Sequence, residues 1–124
     1  MIGLQRTKVR LVPYTNRWHK AFGIEKGKLR KIFGGAAIDI QHEGSTSVIG
    51  LVAKPIIDIA VGIKTMKGAR KYISILEKKG YFWRPNWGRV DQHILFAKGN
   101  EKKRTHYIHV IKYGGGNLET RYAV

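Results

Sequence analysis

Cysteine is absent from the chain, so it can form no disulfide, no zinc–thiolate site and no thiol nucleophile. Acidic residues are scarce. Eight Asp and Glu stand against 24 Lys and Arg, which leaves a formal charge of +16. Such a balance favours anionic partners, either nucleotides or nucleic acid met by a basic surface, and a solvated basic surface is the plainer alternative. Long apolar runs are missing too. No stretch approaches the roughly 20 apolar residues needed to span a bilayer, and the opening Met1-Ile-Gly-Leu-Gln-Arg-Thr-Lys lacks the apolar core of a secretory signal. These absences predict a soluble cytoplasmic protein with no membrane partner. No internal repeat or low-complexity tract divides the chain.

What remains is an ordinary folding composition. Hydrophobic residues make up 43% of 124 positions, enough for a buried core in one domain over residues 1–124. Val9 to Pro13 reads as a short extended segment. Asn16 is the expected cap of a helix reaching about Phe33, with Trp18, Phe22, Glu25, Leu29, Ile32 and Phe33 on one stripe. Glu25 is the odd member, read as a partly buried acid paired with a basic side chain. Ala37 to His42 predicts a strand, and His42 a brace for the turn that follows it. Thr65 is the expected cap of a second helix to about Lys79, its core stripe formed by Met66, Ala69, Ile73 and Leu76. Gln92 to Lys98 and Thr105 to Lys112 read as a hairpin joined through Gly99-Asn100. The aromatic run Tyr81 to Trp87, with Arg84 and Arg89 nearby, reads as core and rim packing ahead of base stacking.

The informative stretch runs from His42 to Val61. It holds a Gly44-Ser45 pair, the hydroxyls of Thr46 and Ser47, then Lys54-Pro55 and a β-prone run carrying Asp58. Along that run Ile57, Ile59, Val61 and Ile63 alternate with Ile56, Asp58, Ala60 and Gly62. A strand sends successive side chains to opposite faces, so one face is core and the other a cleft floor bearing a carboxylate. A glycine turn exposes backbone amides to phosphate, and a carboxylate on the next strand can hold a divalent cation against the same phosphates.

The run His42-Glu-Gly-Ser-Thr-Ser-Val with Gly50-Leu-Val-Ala-Lys-Pro-Ile-Ile-Asp58-Ile resembles the GrpB family, within the nucleotidyltransferase-like superfamily. Val12-Pro-Tyr-Thr-Asn-Arg-Trp18 and Arg104-Thr-His-Tyr-Ile-His-Val110 match as well. The resemblance implies an α+β fold: a nucleotidyltransferase-like mixed β-sheet flanked by two helices, with the Arg104–Val110 strand beside that of Asp58. It further implies a C-terminal helical segment, which appears missing after Tyr113. Such a gap would leave an apolar flank for a partner or a second copy to cover. The superfamily pattern also has a second acid two residues beyond the first; here that position is Ala60.

The expected site follows from these readings. Asp58 and His109 are the catalytic and metal-binding candidates, the histidine standing in for a neighbouring-strand carboxylate. Gly44, Ser45 and Thr46 are the candidate phosphate turn, and Arg104 is a candidate clamp. Lys54 reads equally as a phosphate contact or a solvated lysine. His106 and His109, three apart, fall on opposite faces, so one of them is structural. The implied activity is binding of a nucleoside triphosphate with Mg²⁺ and nucleotidyl transfer to an acceptor. The alternative, favoured by Ala60, is an inactive relative acting as a basic nucleotide- or RNA-binding module.

Overall fold

A computed structural model describes residues 10–87, 92–100 and 103–113, together with the backbone of 4–5. Among the described residues six strands form one sheet: β1 (Leu4–Gln5), β2 (Ala37–Glu43), β3 (Ile57–Ile63), β4 (Tyr81–Trp83), β5 (His93–Gly99) and β6 (Lys103–Lys112). Their order is β2-β3-β6-β5-β4, with β1 added beside the start of β6. Only β3 and β6 run parallel; the other pairs are antiparallel. A parallel pair needs a long crossover, and here α2 (Lys71–Lys78), β4 and β5 supply it. The fold is α+β with a mixed sheet and two helices.

Helix α1 (Arg17–Phe33) buries Trp18, Glu25, Leu29 and Phe33, the stripe its periodicity predicts. Its start differs from expectation. Asn16 itself adopts helical backbone angles and makes no side-chain cap, so the Thr15 hydroxyl accepts the Arg17 N–H instead, at 3.3 Å. The second helix also begins later than predicted. Thr65 does accept the Lys67 N–H at 3.2 Å, but the turn it caps is a 3-10 segment, Met66–Gly68, and the α-helix follows only from Lys71. The core stripe is unaffected, since Met66, Ala69, Ile73 and Leu76 are all buried.

Both helices pack on one face of the sheet. Ile57, Ile59 and Val61 of β3, Ile94 and Phe96 of β5 and Ile108 and Val110 of β6 meet Trp18, Leu29, Phe33, Ile73 and Leu76 in a single core. At about 25 cal/mol per Å² of apolar area removed from water, this layer is the main stabilising element of the molecule. The opposite face carries Asp58, Ala60, His109 and Ile111, with Ala60 packed against Ile111. None of the described helices is long and apolar enough to cross a membrane. The expected missing C-terminal segment and Arg89 concern positions outside the described residues.

Candidate functional site

Strand register brings the site together. Glu43 at the end of β2 stands across from Asp58 on β3, which stands across from Tyr107 on β6. Two residues along, on the same face, Gln41, Ala60, His109 and Leu95 form a row across four strands. Residues side by side in neighbouring strands share a face, so Glu43, Asp58 and His109 converge. The His109 Nε2 lies 3.7 Å from a carboxylate oxygen of Glu43 and 3.7 Å from one of Asp58. On the other side of that ring, His109 Nδ1 is 2.9 Å from Nε2 of His93. His93 and Glu43 are buried, whereas the Asp58 side chain is 32% exposed and His109 17%.

Gly44 explains how the turn meets the acid. It adopts φ 70° and ψ −172°, a region that side chains do not tolerate. A Cβ placed there would stand 2.7 Å from Oδ2 of Asp58. The backbone of the glycine turn therefore lies directly against the carboxylate, and only a residue without a side chain permits the approach. Ser45 opens a 3-10 turn, Ser45–Ser47, and is exposed at the rim.

Three other predicted contacts do not join this group. Thr46 is buried and turned inward, its hydroxyl 2.9 Å from His42 Nε2 and 3.4 Å from the Ile56 carbonyl it donates to. It braces the turn from below, and its side chain does not face the cleft. Arg104 is buried at the start of β6, where a register shift sets it across from Gly99, and its guanidinium sits 5.9 Å from the Phe82 ring of β4. Its side chain thus leans toward β4, on the side of β6 away from β3 and Asp58. Lys54 lies exposed in the loop before β3. His42 has the expected bracing role: it holds Thr46 and stacks on Phe22 with ring centroids 4.9 Å apart. Burial, then the neighbouring His19, hold its pKa down to about 4 against the opposing pull of Asp58.

His106 separates from His109 as the alternation requires. It faces the helices, with Nδ1 2.7 Å from the Thr105 hydroxyl and Nε2 3.8 Å from Glu25. Glu25 itself is the paired acid its sequence position suggests. Lys98 Nζ donates to both its oxygens at 2.8 Å, and the Tyr81 hydroxyl donates to one of them. Burial opposes the charge on Glu25, but these hydrogen bonds prevail and its pKa is lowered. Burial and then Glu25 push the Tyr81 hydroxyl well above the ordinary range.

Two residues of the cluster, Glu43 and His93, were not among the sequence candidates. An acid directly before the glycine turn was the available signal for Glu43, though only the register shows that it faces Asp58. His93 shares its strand parity with Leu95, which placed it on this face without showing its partner. Among the described residues, no group of at least three His, Asp or Glu side chains closes into a ready metal cage.

The GrpB family model matches residues 8–124. The chain belongs to the GrpB family. The family is nucleotidyltransferase-like, in keeping with the mixed sheet and its two helices. A similar protein, the glutamate-rich protein GrpB of Alkalihalophilus pseudofirmus, is 35% identical over 118 residues, covering 93% of this chain and 68% of its own length. The UPF0157 protein YqkA of Bacillus subtilis is 31% identical over 114 residues, 92% of this chain but only 33% of YqkA. The crystal structure of the conserved protein GrpB from Enterococcus faecalis superposes with a TM-score of 0.78 at 29% identity, covering 86% of this chain and 63% of that one. This GrpB chain therefore spans about two thirds of the first relative and one third of the second.

Proposed function

We propose that the chain binds a nucleoside triphosphate with Mg²⁺ in the cleft between the Gly44-Ser45 turn and the Asp58–Glu43 pair, and transfers its nucleotidyl group to an acceptor hydroxyl or phosphate with pyrophosphate as the leaving group. The observation that carries this reading is the carboxylate of Asp58 lying against the Gly44 backbone, with Glu43 in register beside it. Two oxygen donors on adjacent strands fit Mg²⁺, which is ordinarily held by one or two carboxylates plus substrate phosphates and water, without an all-protein cage. Asp58 and Glu43 would hold the ion, with His109 at their edge. When bound, it would neutralise phosphate charge at the reacting group.

The chain's own residues supply the rest. The backbone at Gly44 and the exposed Ser45 offer donors at the mouth of the cleft. His109 presents Nε2 toward the carboxylates while His93 engages its Nδ1. This orients the ring to accept a proton from an acceptor hydroxyl. Catalysis of this class rests mainly on positioning and electrostatics.

Titration of ATP by calorimetry, with and without Mg²⁺, tests the proposal. Binding that strengthens with Mg²⁺ and is lost in Asp58→Asn supports it, and transfer of labelled nucleotide to an acceptor completes it. Nucleotide or RNA binding indifferent to Asp58→Asn would instead point to a catalytically inactive basic module.

A further inference from the structure

On the face of the sheet away from Asp58, the helices border a half-open hollow of about 320 Å³ lined by Lys28, Lys31 and Ile32 of α1, Lys79 at the end of α2, Tyr81 of β4 and Lys98 of β5. Four lysines around one hollow concentrate positive charge on this part of the surface. Glu25 supplies one counter-charge, and Lys98 consumes it through two contacts of 2.8 Å. Among the described residues no carboxylate reaches Lys28, Lys31 or Lys79 within ion-pairing distance. Three exposed lysines from two helices therefore border an open hollow whose lining is otherwise Ile32, Tyr81 and the paired Lys98.

We infer that this lysine-ringed hollow is a second binding site, specific for the polyphosphate group of a small anion and independent of the Asp58 cleft. Charge and shape select the ligand class. A single carboxylate carries one charge on two adjacent oxygens and cannot satisfy three ammonium groups spread over two helices. A di- or triphosphate carries several charges along a chain, and Lys serves phosphate as a flexible point charge. The volume lies at the small end of ligand pockets, which suits a polyphosphate chain and leaves little room for a large organic group. Lys98 does not need to turn outward, because Glu25 anchors it and it completes the cationic wall from behind. The potential also reaches inward: burial foremost, and then Lys98 and Lys28, hold His106 below its ordinary pKa against the pull of Glu25.

The test uses inorganic tripolyphosphate without divalent cation, titrated at about 150 mM salt to screen diffuse attraction. The wild-type chain is expected to bind, and the triple variant Lys28→Gln, Lys31→Gln, Lys79→Gln to lose affinity by roughly tenfold or more. A control with equal loss of charge, Lys64→Gln, Lys67→Gln, Lys71→Gln, is expected to bind as wild type does, and so is Asp58→Asn. Equal losses in both triple variants would reduce the site to non-specific attraction and overturn it. Loss in Asp58→Asn, or no binding by wild type, would overturn it as well. Should the triple variant fold poorly, backbone amide shifts in the wild-type chain decide: movement at Lys28, Lys31 and Lys79 supports the site, and movement confined to Gly44–Asp58 sinks it. A parallel titration with ATP separates the two sources of polyphosphate. Weaker binding than tripolyphosphate is the expected result in so small a hollow, and tighter binding that needs the lysines would overturn the restriction to the bare chain.

Discussion

Glu43 stands directly across from Asp58 on the neighbouring antiparallel strand. The superfamily pattern places two acids on one strand, two residues apart, where they point the same way. Here the second position of that strand is Ala60, fully buried against Ile111, and the second carboxylate comes from next door. Cross-strand register does for Glu43 what alternation along one strand would do for an acid at position 60.

If both carboxylates hold Mg²⁺, Glu43→Gln should weaken Mg²⁺-dependent nucleotide binding about as much as Asp58→Asn. A charged contact of this kind is worth about 1.5–3 kcal/mol, or roughly 10–100-fold in affinity. Calorimetry with and without the metal checks it, and an unchanged affinity in Glu43→Gln would remove that residue from the site.

Gly44→Ala should cost stability and displace Asp58 together. Its backbone lies in a region nearly reserved for glycine, worth about 1–3 kcal/mol for any other residue, and the added methyl would meet the Asp58 carboxylate. Denaturant melts give the first effect. Loss of nucleotide affinity beyond that of a Ser45→Ala control gives the second.

Acid should destabilise the fold from near neutrality downward. His42 titrates near 6.5 when unfolded and about 4 when folded, so the unfolded chain binds more protons across that interval and stability rises with pH through it. His106, also lowered from 6.5, adds in the same direction. Glu25, lowered from 4.5, adds a further loss below that value as its ion pair is protonated. Unfolding free energies measured from pH 7 to 4 should fall steadily, and His42→Gln should flatten the slope. An unaltered slope in that variant would place the proton uptake elsewhere.

Toward the Asp58 cleft the Glu25 network should prove purely structural. Glu25→Ala leaves Lys98 and the Tyr81 hydroxyl without their buried partner, and the expected loss is on the order of 3 kcal/mol. Mg²⁺-dependent nucleotide binding by the folded fraction should be unchanged, because the carboxylate lies on the helix-covered face. A changed affinity at full folding would connect the two faces.

Local pattern made much of this legible. Alternation in Ile57–Ile63 and in Thr105–Lys112 correctly separated core faces from the cleft face and His106 from His109, because side-chain direction along a strand depends only on parity. The apolar stripe of α1 was readable for the same reason at a different period. Arg104 marks where parity stops: a register shift between Lys98 and Gly99 interrupts the alternation, so counting from His106 does not give its side. Thr46 was misread differently. A hydroxyl in a turn can point outward or inward, and the His42 ring beneath it decides.

The sequence alone therefore determined most of the elements, the buried stripes, the glycine turn and the excess of positive charge, since each depends on neighbours a few residues away. Tertiary structure decided which acid faces Asp58, which histidine orients His109 and where four lysines gather around one hollow. Those relationships join residues far apart in the chain, and only strand register and helix packing bring them within reach of each other.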